Sequence, residues 1–280
     1  MEPYWDQIKQ IVKESDVVLE ILDARAVEMS QNEQLERIIA EAGRPRIFVI
    51  NKADLATRDE LERATDKISK SRNVEKDYVV LFTNKNRRPA KNLLGRIRQV
   101  FAKHGKRPNF TPEIKRPYRE AKGDIVVGVV GYPNVGKSSV INAIAFKKKA
   151  KVSSKAGTTH GIHWINAGHE IKLIDTPGVI PLSFQEESRL GIIAARNPER
   201  IKDPETVACR IIEMFSKEGK LGKIEEHFNF KIKEENRDNV CLILEQISLA
   251  RKHLKKGGVA DEKRTAMTLI REWQTGRLKL

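Results

Sequence analysis

Three shortages in the sequence exclude whole classes of protein. Only two cysteines occur in 280 residues, which excludes a disulfide framework and a CxxC metal site. Cys209 and Cys241 lie within apolar helical patterns, and we expect both to be reduced core residues. No apolar run approaches the ~18 residues of a membrane-spanning helix, and the N-terminal "MEPYWDQIKQ" has no basic stretch followed by an apolar segment. The sequence therefore predicts a soluble, cytoplasmic protein without a membrane partner.

Negative charge is the third shortage. Asp and Glu number 38 against 53 Lys and Arg, so the formal net charge is +15 at pH 7. A surface of this kind carries a broad positive potential that favours a polyanionic partner, of which nucleic acid is the first candidate. A well-solvated basic surface without such a partner is the alternative.

Short β-branched runs alternate with helical patterns over the first two thirds of the chain. This alternation is typical of βαβ units, and it predicts an α/β fold with a mostly parallel sheet covered on both faces. An irregular basic connector, 103–123, interrupts it. The predicted strands are 17–22, 46–55, 78–82, 124–130 and 170–179, and the predicted helices are 31–42, 57–71, 89–103 and 138–146.

The character of the chain changes near residue 182, where strand runs disappear. Asp203 followed by Pro204 is a strong helix start, and apolar residues recur at helical spacing after it. We therefore predict two domains, an α/β domain over 1–182 and an all-helical domain over 183–280.

The stretch "GYPNVGKSS", residues 131–139, has the pattern of a phosphate-binding loop (P-loop). It follows an apolar strand and precedes a helix, which is the context that this motif requires. Its backbone N–H groups would surround phosphate oxygens, Lys137 would reach the β and γ phosphates, and the Ser138 hydroxyl would ligate Mg²⁺. The residues predicted to contact phosphate are Asn134, Val135, Gly136, Lys137, Ser138 and Ser139. A glycine-containing turn with a chance GKS is the alternative.

A second phosphate-side element, "DTPG", closes the strand "IKLI". Asp175 is placed for the Mg²⁺ shell, and the Gly178 N–H for the γ-phosphate. The segment "KVSSKAGTTHGIHW" (151–164) lies between the two elements, and a threonine hydroxyl from it is needed to complete the metal shell. Thr159 is our prediction, with Thr158 as the alternative.

The stretch "NKAD" at the end of a strand is typical of a guanine-binding motif, formed by Asn51, Lys52 and Asp54. The Asp54 carboxylate can accept paired hydrogen bonds from the N1–H and the exocyclic amine of guanine, groups that adenine lacks. An ATPase would share the P-loop but not this motif. After the next strand, "LFTNKN" occupies the place of a third base-contacting loop, for which the candidates are Thr83, Asn84 and Lys85. An ordinary polar loop is the alternative there.

The order of these motifs carries a family resemblance. NKAD, the TN loop, GYPNVGKS, GTT and DTPG follow one another as in a circularly permuted GTPase. With "LDAR" (22–25) after the first strand and "GGVADEKRTAMTLIREWQTGRL" (257–278) near the end, the chain resembles the YlqF/YawG group of ribosome-assembly GTPases. The resemblance implies a doubly wound P-loop GTPase sheet whose natural ends have been joined, with 104–123 as the joint. It also implies that the segment after Gly178 runs directly into the helical tail.

The resemblance further implies GTP hydrolysis during assembly of the large ribosomal subunit, with precursor rRNA as the partner. Many relatives place a glutamine after DxxG, but this chain has Val179 and Ile180, so we expect slow turnover that a partner stimulates. The alternative is a GTP-dependent RNA-binding module in which hydrolysis is incidental.

Two further catalytic roles follow from the same resemblance. Asn134 is similar to the asparagine that binds K⁺ in several such GTPases, although an asparagine that only forms the turn is an equal alternative. The N-terminal histidine of some members has no counterpart before His104, so His160 or His163 would have to substitute for it. The residues expected to act in hydrolysis are Lys137, Asn134, Thr159, Gly178 and His160.

Overall fold

The computed structural model describes residues 3–106, 124–145, 163–167, 170–175, 187–193 and 197–280. The chain divides into two compact units, Met1–Pro181 and Leu182–Leu280. The described strands all belong to the first unit, and the described part of the second unit is built from helices. The predicted α/β fold with a helical C-terminal part is confirmed. The separate functions assigned to the two parts stay predictions.

The first unit is a six-stranded sheet with helices. The strands are β1 Val17–Asp23, β2 Arg46–Asn51, β3 Val79–Leu81, β4 Ile125–Val130, β5 His163–Ala167 and β6 Ile171–Asp175. The helices are α1 Pro3–Glu14, α2 Glu33–Glu41, α3 Arg58–Arg72, α4 Arg88–His104 and α5 Lys137–Ile144.

The strand order across the sheet is β3-β2-β1-β4-β6-β5. The pairs β1/β2, β2/β3, β1/β4 and β4/β6 are parallel, and only the edge strand β5 pairs antiparallel, with β6. Every residue of β1 and β4 is buried. Burial on both faces explains why β4 is a continuous apolar run and why β1 is apolar except for Glu20, which pairs with Arg46, and its last residue, Asp23.

The chain reverses direction through the sheet beside β1. From β1 it builds outward to β2 and β3, and it then returns to place β4 on the opposite side of β1. In an open parallel sheet of this kind, ligands bind outside the carboxyl ends of the strands at the reversal point. The loops that follow β1, β2 and β4 therefore meet at one edge.

Two elements of the first unit were not predicted. Helix α1 precedes the first strand, and β5 begins within the segment taken as a switch loop, with His163 opposite Asp175 in the β5/β6 pairing. The predicted strand 46–55 was too long, because it ends at Asn51 and a 3₁₀ turn, Ala53–Leu55, follows. The turn starts at Lys52, whose φ of 59° is left-handed.

The second unit contains α6 Glu187–Ile192, α7 Pro204–Lys217, α8 Leu221–Phe228, α9 Val240–Ala250 and α10 Glu262–Thr275. Trp273 is fully buried with its ring edge-on to Phe215, and its Nε1 donates to the Ile192 carbonyl at 2.8 Å. The predicted helix start is confirmed, since Asp203 Oδ1 caps α7 by accepting from Thr206 N at 3.0 Å.

The prediction that both cysteines lie in the core was wrong. Cys209 is half-buried and Cys241 is exposed. The buried face of α9 is formed by Ile243, Leu244 and Ile247, and residue 241 lies off that stripe.

Among the residues that the structure describes, no helix is long and apolar enough to cross a membrane.

Candidate nucleotide-binding site

The P-loop turn joins β4 to α5 and requires glycine at both ends. Gly131 has a φ of 142° and Gly136 a φ of 101°, a region that side chains rarely adopt. A Cβ atom on Gly136 would lie 2.1 Å from Asn51 Nδ2, and one on Gly131 would lie 2.6 Å from the Ile21 carbonyl oxygen. The turn therefore packs against the ends of both β1 and β2.

Lys137 is buried at the first position of α5. Its Nζ donates to the carbonyl oxygens of Gly131 and Tyr132, each at 2.8 Å. Burial lowers the pKa of Lys137 to about 8, although the negative charge of Asp175 acts in the opposite direction. An ammonium group held inside the turn is available to an anion that enters it.

The NKAD motif touches the P-loop directly, although the contacting residues are 82 and 84 positions apart in the chain. Asn51 Nδ2 donates to the Val135 carbonyl at 2.8 Å, and Lys52 Nζ donates to the Asn134 carbonyl at 2.9 Å. The structure thus brings together the two motifs that their order in the sequence had separated. Their roles in nucleotide binding stay predictions.

Asp54 is held by the third predicted base loop. Thr83 Oγ1 donates to Asp54 Oδ1 at 2.8 Å, and Lys85 Nζ lies 3.1 Å from Asp54 Oδ2. Burial opposes ionisation, but the hydrogen bonds from Thr83 and Lys85 outweigh it and lower the pKa of Asp54. Asn84 is exposed on the same loop. The carboxylate is ionised near neutral pH, the form that can accept hydrogen bonds from guanine.

A buried charge cluster that the sequence did not reveal lies under the site. Arg25 makes a two-pronged contact with Asp23, with Nε 2.9 Å from Oδ1 and Nη2 2.7 Å from Oδ2, and Lys52 Nζ lies 2.8 Å from Oδ2. The Asp23 and Arg25 side chains are essentially inaccessible. Burial alone would raise the pKa of Asp23, but the two cations hold it well below its ordinary value. The local sign of this cluster in the sequence is "LDAR", which carries part of the family resemblance but does not by itself predict the charge pairing.

A second contact missed by sequence reasoning anchors the P-loop to α2. Tyr132 is fully buried, and its hydroxyl accepts from Asn32 Nδ2 at 2.9 Å. Asn32 is also the N-cap of α2, because its Oδ1 accepts from Leu35 N at 2.9 Å. The same side chain therefore fixes the helix start and the loop.

Two of the predicted Mg²⁺ ligands lie in described parts of the chain. Asp175 is buried at the carboxyl end of β6, and Ser138 is half-buried in the first turn of α5. Burial lowers the pKa of Lys137, and Coulomb attraction from Asp175 partly offsets that effect, so the charge of Asp175 acts on the P-loop. A carboxylate and a hydroxyl are oxygen donors of the kind that Mg²⁺ takes, and this pair fits the ion. Thr158, Thr159, His160 and Gly178 lie outside the described residues.

Asn134 adopts a φ of 58° and accepts Lys52 through its carbonyl oxygen. The left-handed region is one that asparagine tolerates better than most residues. The turn-forming alternative is therefore sufficient to account for an asparagine here, and the K⁺ role stays a prediction.

Comparisons with known proteins agree with this geometry. A family model described as a 50S ribosome-binding GTPase matches residues 126–246. An uncharacterized GTP-binding protein of Methanocaldococcus jannaschii is 37% identical over 271 residues, which are 97% of this chain and 65% of that protein. Ribosome biogenesis GTPase A of Bacillus cereus is 29% identical over 277 residues, covering 97% of this chain and 87% of that one.

A solved structure shows the shared fold. GNP-bound YlqF from T. maritima matches with a TM-score of 0.60 at 22% identity, covering 99% of this chain and 96% of that one. Several of the curated relatives are longer, and this chain spans 65%, 48% and 50% of the first three. In fold the chain is similar to YlqF, and in sequence it is similar to GTP-binding proteins that include ribosome biogenesis GTPase A.

Proposed function

We propose that the protein binds and hydrolyses GTP and assists assembly of the large ribosomal subunit. The observation that carries this proposal is the direct contact of Asn51 with Val135 and of Lys52 with Asn134. A base held by Asp54 and phosphates held by the P-loop would then belong to one nucleotide. The family description and the names of the relatives, among them ribosome biogenesis GTPase A, support the ribosomal role.

Guanine would bind to Asp54 through its N1–H and its exocyclic amine. Thr83 and Lys85 hold the carboxylate, so its oxygens are oriented before the base arrives. Burying the acid opposite adenine would leave it unpaired, which costs about 1–3 kcal/mol. This difference is the proposed source of selectivity for GTP over ATP. Asn84 completes the loop beside the base.

The phosphates would lie in the P-loop at the N-terminus of α5. N–H groups of a glycine-rich turn and of a helix N-terminus point toward a bound anion. Lys137 would leave the two carbonyls that it now contacts and turn to the β and γ phosphates. The backbone of Val135, Gly136, Ser138 and Ser139 would surround the remaining oxygens.

Mg²⁺ would be held by Ser138 and Asp175, with Thr159 completing the shell. When bound, the ion neutralises charge that develops on the phosphate oxygens. Gly178 would contact the γ-phosphate through its N–H. The conformation of the segment after Gly178, which leads into the helical unit, would then depend on whether the γ-phosphate is bound.

Hydrolysis should be slow in the isolated protein. Val179 and Ile180 follow the DxxG motif and cannot orient a water molecule, so we expect about 10⁻⁴ to 10⁻² s⁻¹, the range of intrinsic GTPases. His160 is our candidate for a substitute group that acts once a partner has ordered the site. His160→Ala should then hydrolyse GTP more slowly than the wild type on the assembled partner.

Single-turnover hydrolysis with and without large ribosomal subunits tests the proposal. We expect stimulation of about 100-fold or more, against the ~10³-fold or more that an arginine finger supplied by a partner provides. Lys137→Ala is the control, because it removes the phosphate contact and reveals any contaminating GTPase. GTP-dependent binding to subunits without any stimulation would favour the alternative, an RNA-binding module in which hydrolysis is incidental.

The net charge of +15 supports precursor rRNA as the partner. A protein that neutralises several backbone phosphates releases counterions, so its affinity falls steeply with salt. The basic segments 103–122 and 146–151, which lie largely outside the described residues, are the proposed contacts. A cytoplasmic location, where such precursors would be met, is part of this proposal.

Potassium dependence is a separate expectation that rests on Asn134. If K⁺ takes the place of an arginine finger, hydrolysis should be faster in KCl than in NaCl at equal ionic strength. Asn134→Asp tests the residue itself, because the acidic side chain still tolerates a left-handed φ. Equal rates in the two salts would leave Asn134 as a turn residue only.

Nucleotide affinity should fall at alkaline pH because of Lys137. Phosphates favour the protonated ammonium, and the pKa of Lys137 is about 8 before they bind. Affinity should be nearly constant below pH 7 and weaken as pH rises through 8, by about fourfold between pH 7 and 8.5. Lys137→Met should bind weakly and show no such slope. Fluorescence titration with a labelled GDP measures both proteins.

A further inference from the structure

The two cysteines of the chain are neighbours in space. Cys209 on α7 and Cys241 on α9 have their Sγ atoms 3.4 Å apart. A disulfide bond requires about 2.0 Å between the sulfurs, so the remaining approach is short. The pair lies in the second unit and belongs to no part of the nucleotide site.

The fold holds the two thiols together through the packing of α7 and α9. Buried apolar faces of the two helices include Ala208 and Ile212 on one side and Ile243 on the other. The start of α9 is fixed by Asn239, whose Oδ1 accepts from Cys241 N at 3.1 Å. The short sulfur–sulfur distance is therefore a property of the folded unit.

The two thiols differ in their surroundings. Cys241 is exposed, so a dissolved oxidant reaches it directly, whereas Cys209 is half-buried. Burial, together with the hydrogen bond to Cys241, raises the pKa of the Cys209 thiol to about 12. Cys209 therefore stays protonated at neutral pH and reacts slowly with a dissolved oxidant, so its part is to attack the neighbouring Cys241 sulfur once that sulfur has been oxidised. The exposed thiol is the group that reacts first with an oxidant.

We propose that Cys209 and Cys241 form an oxidation site at which peroxide links α7 to α9 through a reversible disulfide. Peroxide oxidises the Cys241 thiolate to a sulfenic acid, and the peroxide's other oxygen leaves as water once protonated. The Cys209 sulfur then attacks the Cys241 sulfur, and the hydroxyl group leaves as a second molecule of water with the Cys209 proton. A dithiol reductant restores both thiols.

The disulfide would be a stabilising cross-link within the helical unit. It closes a loop of about thirty residues between the two cysteines, which restricts the unfolded chain more than the folded one. The oxidised protein should therefore resist urea and proteases better than the reduced protein in this unit.

Peptide mapping of the folded protein tests the site. The folded chain is treated with hydrogen peroxide, remaining thiols are alkylated, and trypsin digestion follows without reductant. We expect the peptide DPETVACR (203–210) joined to DNVCLILEQISLAR (238–251), lighter by one H₂ than the sum of the two and separated by dithiothreitol. The link should form faster in the folded protein than in guanidinium chloride.

Two serine variants assign the steps. Cys209→Ser should leave a Cys241 sulfenic acid that dimedone traps, whereas Cys241→Ser should leave Cys209 largely reduced. The proposal is overturned if both thiols of the folded wild type remain open to alkylation, if linked peptides come only from dimers, or if denatured protein reacts equally fast.

Discussion

An Asp54→Asn variant is expected to bind GTP about 100-fold more weakly and to gain affinity for xanthosine triphosphate. The substitution removes the negative charge of residue 54 and one of its two acceptor oxygens, the one that would bind the guanine amine. Two charge-assisted hydrogen bonds together account for about 3 kcal/mol, which corresponds to about 100-fold in affinity. The asparagine amide would instead donate to the 2-oxo group of xanthine. Its oxygen still accepts from Thr83 in the place of Oδ1, so this 2.8 Å contact with the loop should remain, whereas the ion pair with Lys85 is lost.

Competition titrations with GTP, XTP and ATP measure this change of specificity. Asp59→Asn is a matched control, because Asp59 is an exposed acid on the helix that follows the motif. The control should keep the wild-type order of affinities. Undiminished GTP binding by Asp54→Asn, with no gain for XTP, would contradict the assignment of Asp54 to the base.

The strands that carry the site could be predicted because their signal is local. β1, β2 and β4 are largely apolar, and each leads into a short polar motif at the carboxyl end. Parallel strands in one sheet bring such ends to one edge, so the meeting of NKAD with the P-loop followed from the motif order. The positions of the P-loop glycines could be predicted equally well, since a φ of 101°, as at Gly136, is adopted far more readily by glycine than by other residues.

Other features depend on contacts that no local pattern encodes. Asp23 and Lys52 are 29 positions apart, and their pairing is visible only after β1 and β2 align. β5 is five residues long, lies at the edge of the sheet and pairs on one side only, so its sequence has no continuous apolar run. The exposure of Cys241 could have been predicted, since residue 241 does not fall on the buried apolar stripe of α9 that Ile243, Leu244 and Ile247 form.

An Asp23→Asn variant is expected to be destabilised by about 3–5 kcal/mol, the usual cost of removing one partner from a buried ion pair. The side chain would keep its size, but the charges of Arg25 and Lys52 would lose their counterion inside the protein. Urea denaturation of the nucleotide-free protein at pH 7 measures the loss. Lowering the pH should not produce the same loss of stability until the pH is well below the ordinary pKa of aspartate, because the two cations lower the pKa of Asp23.

Glu62→Gln is the matched control for this loss. The Arg58–Glu62 pair has the same 2.8 Å separation as Lys52–Asp23, but both of its side chains are largely exposed. Exposed pairs contribute little to stability because water screens them, so the urea midpoint of the control should not move measurably. Equal midpoints for the two variants would show that the Asp23 cluster carries no more stability than a surface pair. A large shift for Asp23→Asn alone, with weaker GTP binding, would mean that the cluster also holds Lys52 against the Asn134 carbonyl, and so connects the base-binding motif to the P-loop.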